Sequence, residues 1–165
     1  MDSAVWGLLG TVVGALSSIA TTWLTALSMS RREQDKLRED RFERARAFQR
    51  QTLIELQDAI HDAMRLASRA FIEDDKAARA GKEWGRNMLS DDVDEGLRVA
   101  QRRVAILSDR VAHDDLRASV KSLMQVNTQV ALARSKGEAE SAMAQATSGA
   151  PSVLEHIGIL LRQNY

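Results

Sequence analysis

The distribution of apolar and polar residues changes twice along the chain, and each part predicts a different element. Residues 3–30 form an apolar and small-residue run without a charged side chain, whereas residues 31–52 are dense in Arg and Glu. From residue 53 onward, apolar residues recur at intervals of three and four, the spacing of one buried helix face. The pattern therefore predicts an all-α chain with a transmembrane helix at 1–30, a charged juxtamembrane stalk at 31–52 and an antiparallel helical bundle at 53–165.

The uncharged run is long enough to cross a bilayer, because about 20 mostly apolar residues span the hydrocarbon core. A cleaved signal peptide is the alternative, but it needs a basic start, and the charged side chain before the run is Asp2. We therefore expect a single-pass helix in the inner (plasma) membrane, with the lipid bilayer as the first partner. The helix is expected to continue into the stalk without a break.

Basic residues predict the orientation of this helix. They are concentrated directly after the uncharged run and absent before it, and those nearest the run are Arg31, Arg32, Lys36 and Arg38. Positively charged flanks stay on the cytoplasmic side of a membrane. The N-terminus is therefore expected outside and the bundle in the cytoplasm.

Small residues recur every four positions inside the uncharged run, at Gly10, Gly14, Ser18 and Thr22. Residues four apart share one helix face, and small side chains let two membrane helices approach closely. This pattern predicts self-association through the membrane helix. The alternative is a face that merely tolerates small residues, which are common in membrane helices.

The clearest bundle signal is an apolar seam on two successive helices, the second of which begins near Asp114 or Asp115. Its members alternate at intervals of four and three and are Leu97, Val104, Leu107, Val111, Leu116, Val120 and Leu123. A tight turn around Ala112 and His113 favours a hairpin packed within one chain. A coiled coil between chains is the alternative.

Two features of the bundle remain open from the sequence. Either Asn127 lies in the core, where it would fix the alignment of a neighbouring helix, or Val126 takes its place. Residues 136–150 are rich in Ala, Ser, Gln and Glu, which indicates either a flexible polar linker or a frayed continuation of the third helix. A short last helix is then expected to begin at Pro151.

Composition narrows the classes of function. The chain has 165 residues, with 23 basic and 23 acidic side chains and no cysteine. The missing cysteines exclude disulfide scaffolds, thiolate metal sites and cysteine nucleophiles. Because the charges balance, we do not expect a nucleic-acid partner.

Few side chains are candidates for chemistry. Asp58 and His61 have the spacing of a di-metal bundle ligand pair, but no second such helix accompanies them. His113 followed by acids resembles the phosphoacceptor helix of sensor kinases, yet one residue too many separates it from Leu116. We therefore expect no catalytic, cofactor or metal site. Trp84, in the connection after the first helix, is either a partner anchor or a cap on the core.

The span and its exit resemble a known class of small proteins. Gly-Thr-Val-Val-Gly-Ala-Leu at residues 10–16, Thr-Trp-Leu-Thr at 22–25 and Arg-Arg-Glu at 31–33 are similar to single-pass membrane proteins of actinobacteria and their phages. The resemblance covers about the first 70 residues and implies an outside N-terminus, an Arg-rich stalk and a cytosolic helical domain. It implies no activity.

The expected function is a non-enzymatic, membrane-anchored scaffold whose bundle binds a cytosolic protein. The alternative is a phage-type lysis or membrane-remodelling factor, similar to a spanin, with the helical domain outside the inner membrane. The two differ in the side of the membrane on which the C-terminus lies.

Overall fold

The structure is a computed structural model that describes the backbone of residues 2–165 and the side chains of residues 14, 17, 18, 23, 29 and 33–165. The described chain forms four α-helices: α1 is Asp2–Arg79, α2 is Asp91–Arg110, α3 is Asp114–Leu132 and α4 is Lys136–Gln163. No strand occurs among the described residues. The all-α prediction is therefore confirmed.

The chain divides into two compact units, Met1–Ala45 and Arg46–Tyr165. In the first unit, the described side chains from residue 33 onward are exposed, including those of Leu37 and Phe42. The second unit contains the bundle and includes Thr52, which is buried. Residues 46–52 of the predicted stalk belong to the second unit.

Few side chains are described in the segment for which the transmembrane helix is predicted. Gly14 and Ser18 of the small-residue face are exposed, and a Cβ built on Gly14 would meet no atom within 4 Å. Lys36 and Arg38 of the basic flank are also exposed. The remaining members of these two predicted sets lie outside the described side chains: Gly10, Thr22, Arg31 and Arg32.

Among the residues that the structure describes, no helix is both long enough and apolar enough to cross a membrane.

Hydrogen bonds between the helices show which neighbouring helices are antiparallel. Arg69 of α1 donates to Asp92 of α2 at 2.7 Å, while Gln49 Nε2 donates to the carbonyl of Arg110 at 3.0 Å. Residue numbers therefore rise along α1 as they fall along α2, so the two helices are antiparallel.

Helix α4 also runs antiparallel to α1. Lys136 Nζ donates to Asp75 Oδ1 at 2.8 Å, and Arg50 Nη1 donates to the carbonyl of Asn164 at 3.2 Å. Helices α2 and α3 are joined by the tight turn expected at residues 111–113. The four segments therefore form an up-down-up-down bundle.

The core of the bundle contains every residue of the predicted seam. No seam residue is more than 5% exposed, and the seven are Leu97, Val104, Leu107, Val111, Leu116, Val120 and Leu123. They share one apolar cluster with Leu53, Leu56 and Ile60 of α1 and with Ile157 of α4. Each fully buried side chain of this size stabilises the fold by about 1.5–3 kcal/mol. The seams pack within one chain, as the hairpin interpretation predicts.

The prediction for residues 136–150 was wrong. They are neither a linker nor a continuation of α3, but the first half of α4, and Pro151 lies inside that helix rather than at its start. Ser135 caps the helix by accepting a hydrogen bond from the Glu138 amide at 3.2 Å. A row of small side chains is buried along the segment, namely Ala139, Ala142, Ala146 and Ala150. Pro151 lies on the exposed side of the helix, and because it has no N–H it leaves out one i→i−4 backbone hydrogen bond.

Asn127 lies in the core and is 1% exposed, whereas Val126 is half-buried beside it. Of the two interpretations left open, the structure therefore has Asn127 inside the seam.

Candidate interaction surfaces

An open groove of about 680 Å³ lies between α2 and α3. Its apolar floor includes Val104, Val120 and Met124, and the small side chains of Ala105 and Ala118 line it. The groove is open because these two exposed alanines fill little of the space between the helices. Polar residues complete the lining: Gln101, Ser108, Asp109, Arg117, Lys121, Gln125 and Thr128.

Some of the polar side chains that line this groove already form hydrogen bonds within the chain. Gln101 Nε2 donates to Thr128 Oγ1 at 3.2 Å. Arg117 is bonded to the carboxylate of Asp114 and to the carbonyl of Val111. An apolar floor with a polar rim is the arrangement that binds the apolar face of an amphipathic helix.

A second groove, of about 410 Å³, lies between α1 and α2 on the outside of the bundle. Glu55 lines it from α1, and five exposed residues line it from α2: Val99, Arg102, Arg103, Ile106 and Arg110. The buried Leu107 completes the lining. Apolar side chains therefore lie here between charges of both signs.

The connection from α1 to α2 is fastened to the bundle. Its first turn has a positive φ of 88° at Gly81, where the amides of Gly81 and Lys82 donate back to the carbonyls of Ala78 and Ala77. These two hydrogen bonds end α1 in a Schellman motif. Gly85 has a φ of 69° and lies so close to α3 that a Cβ would be 2.7 Å from the carbonyl oxygen of Ala133.

Trp84 packs in this connection with its ring 5.4 Å from that of Phe71, inclined by 60°. The side chain is half-buried, and its Nε1 is buried without a hydrogen-bond partner among the described residues. Trp84 therefore packs against Phe71, which itself packs against the core.

Two adjacent aspartates near the end of α1 have opposite environments. Asp74 is only 5% exposed, and its Oδ1 has no hydrogen-bond partner among the described residues. Burial, aided by the neighbouring Glu73 carboxylate, raises the pKa of Asp74. The ammonium group of Lys136, helped by Arg79, lowers the pKa of Asp75.

The three histidines lie on or next to three different helices. His61 and His113 are exposed, on α1 and at the N-cap of α3, and His156 is half-buried on α4. Among the described residues, no group of three or more His, Asp or Glu is placed to hold a metal ion. Asp58 and His61 both lie on the exposed side of α1.

Comparison of the chain with protein-family models, with curated proteins and with solved structures finds no match.

Both grooves were missed by the sequence analysis, for different reasons. The α2–α3 groove depends on how two alanines face each other across helices, which no pattern in one helix reveals. The outer face of α2 does carry a signal, because Val99 and Ile106 lie seven residues apart and therefore on the same side of the helix. That spacing is a second apolar stripe opposite the buried seam.

Proposed function

We propose that the protein is a non-enzymatic interaction module anchored in the inner membrane, whose helical bundle binds a cytosolic protein. The observation that carries the anchoring is the absence of charged side chains from Ser3 to Ser30, followed by eight basic residues within residues 31–50. An apolar segment of this length matches the hydrocarbon thickness of a bilayer. The basic flank favours a cytoplasmic bundle.

The groove between α2 and α3 supports the interaction part of the proposal. The half-buried Met124 and the exposed Ala105 and Ala118 offer a partner helix the apolar contact that an isolated amphipathic helix lacks. Asp109 and Lys121 on the rim form no ion pair among the described residues, so they are available to orient the incoming segment. The partner is therefore expected to contribute an amphipathic helix with charged flanks.

Fusions to the C-terminus test the topology. A fluorescent protein that matures in the cytoplasm and a phosphatase that is active only outside the inner membrane are fused separately after Tyr165. The proposal predicts fluorescence without phosphatase activity. The opposite result would place the bundle outside and favour the lysis or membrane-remodelling function.

Filling the groove tests the interaction. Ala105→Arg and Ala118→Arg place long side chains in the groove, whereas Ala144→Arg makes the same change at an exposed position of α4 that does not line it. Proteins that co-purify with the wild-type chain should be lost with the first two variants and kept with the third. Equal recovery with all three would exclude the groove as the binding site.

A further inference from the structure

The outer face formed by α1 and α2 carries unpaired charges of both signs beside exposed apolar side chains. Arg102, Arg103 and Arg110 line the α1–α2 groove, and none of them forms an ion pair among the described residues. Across the groove, Glu55 is bonded only to Gln51, at 2.6 Å. Opposite charges therefore lie on neighbouring helices without neutralising each other within the chain.

The acidic and basic residues lie at matching heights along the two helices. Gln49 is level with Arg110, and Arg69 is level with Asp92, because hydrogen bonds join each pair. Each residue along a helix rises by the same 1.5 Å, so heights between these two points can be interpolated.

This interpolation pairs specific residues across the face. Ile54 is level with Ile106, and Asp58 is level with Arg102. Asp58 is exposed and forms no ion pair among the described residues. The apolar members are also accessible, with exposed fractions of 42% for Ile54, 43% for Ile106 and 55% for Val99.

A face of this kind is complementary to itself. A two-fold axis parallel to the helices, lying in the interface, places α1 of one copy opposite α2 of the other and keeps every residue at its height. The acidic positions 55 and 58 then oppose the basic positions 102 and 103 of the second copy. Ile54 opposes Ile106, and this apolar contact occurs twice because the interface is isologous.

We propose that the α1–α2 face of the bundle is a homodimer interface, with α1 of each protomer packed antiparallel against α2 of its partner. This goes beyond the proposed function, because it concerns residues 46–165 and holds whether or not the chain inserts into a membrane. The second copy is the occupant that matches both the charges and the apolar residues of the face. Complementary charges set the register, and the isoleucines and Val99 supply the buried apolar area.

Cross-linking between two differently labelled chains tests the geometry. The chain has no cysteine, so Ile54→Cys in one full-length preparation and Ile106→Cys in another introduce single thiols. The two are mixed in an uncharged detergent and treated with a short bifunctional maleimide. Cross-linked heterodimer should form at least about tenfold faster than when Ile54→Cys is mixed with Leu132→Cys, since dimerisation raises the effective thiol concentration.

Leu132 is the matched control because it is exposed, at 72%, and lies on α3, outside the proposed face. Equal cross-linking of the two mixtures would overturn the proposal. Association through residues 2–45 alone would not produce the difference, since it gives no preference for position 106 over position 132.

Reversing the charges in two steps tests the complementarity. Glu55→Lys with Asp58→Lys, added to the Ile54→Cys chain, should strongly reduce its cross-linking to the Ile106→Cys chain. Like charges then face each other at one of the two equivalent contacts, while the Ile106→Cys chain still pairs favourably with itself. Arg102→Glu with Arg103→Glu, added to the Ile106→Cys chain instead, should reduce the cross-linking equally. When both reversed chains are mixed, the opposite signs face each other again and the cross-link should return.

A charge reversal outside the face controls for net charge. Lys82→Glu with Arg86→Glu, in the connection between α1 and α2, changes the net charge by the same amount as the reversal at Arg102 and Arg103. Added to the Ile106→Cys chain, it should leave the cross-link unchanged. Helicity and thermal midpoint are measured for every chain, and recovery in the doubly reversed mixture shows directly that both chains are folded. Loss of the cross-link in all three reversed mixtures, or in none of them, would contradict the interface.

Discussion

The side-chain amide of Asn127 on α3 donates from Nδ2 to the main-chain carbonyl of Ala63 on α1, 3.3 Å away inside the core. The Oδ1 atom of the same amide has no hydrogen-bond partner among the described residues. One bond therefore aligns α3 against α1, while the unpaired acceptor lowers the stability of the bundle. A single polar core residue of this kind specifies alignment at some cost in stability.

Replacing Asn127 tests its cost in stability. Asn127→Leu removes the unpaired acceptor and adds apolar contacts, so the free energy of unfolding should rise by about 1 kcal/mol. Asn127→Asp places a charge in the core and should lower it by about 3 kcal/mol. Urea unfolding followed by helicity measures both, and a Leu variant less stable than the wild type would contradict the cost assigned to Oδ1.

The two adjacent aspartates predict pH effects of opposite sign. Because burial raises the pKa of Asp74, its ionised form destabilises the fold as the pH rises through that pKa. Asp74→Asn should therefore be more stable than the wild type at about pH 7, and the difference should disappear as the pH falls below about 3.8.

Asp75 is the matched control at the next position. Lys136 and Arg79 lower its pKa, so the ionised form stabilises the fold, and this contribution is lost as the pH falls through that lowered pKa. Asp75→Asn should be less stable than the wild type at about pH 7 and equal to it in strong acid. Thermal midpoints of both variants, measured from strong acid to about pH 7, test these predictions. Shifts of the same sign at about pH 7 for both variants would refute the opposite environments of Asp74 and Asp75.

Gly85 should be intolerant of any side chain. Its φ of 69° and the 2.7 Å approach of a Cβ to the Ala133 carbonyl both oppose substitution. Gly85→Ala should lower the free energy of unfolding by about 1–3 kcal/mol. Gly137, in the first turn of α4, has open space around its Cβ position, so Gly137→Ala should raise it by about 0.5–1 kcal/mol. Chemical unfolding of the two variants should therefore shift in opposite directions.

Helices α2 and α3 could be predicted because large aliphatic residues mark their buried faces. Leu97, Val104 and Leu107 repeat at heptad spacing, and one buried face accounts for all of them. The first half of α4 could not be predicted by the same reasoning, since its buried face consists of alanines such as Ala142 and Ala146. Alanine is also common on exposed helix surfaces, so its spacing indicates burial only weakly.

A helix start was nevertheless visible in that segment. Ser135 and Glu138 have the Ser-x-x-Glu spacing of a capping box, and the structure shows Ser135 as the N-cap. Pro151 was misleading because the first turn of a helix is its commonest helical position, whereas here it lies on an exposed side within α4. The grooves depend on the relative placement of helices, which the pattern in any one helix does not contain.

Flotation of cell membranes after alkaline carbonate treatment tests whether the chain is anchored in the membrane. We expect the wild-type chain to float with the lipid, because carbonate strips peripheral proteins but leaves a spanning helix in place. Val12→Asp combined with Leu16→Asp introduces two charges into the uncharged run, at a cost of about 2.5–3.5 kcal/mol each near the bilayer centre, and should abolish flotation. A wild-type chain that stays at the bottom of the gradient, while a known integral protein in the same sample floats, would contradict membrane anchoring.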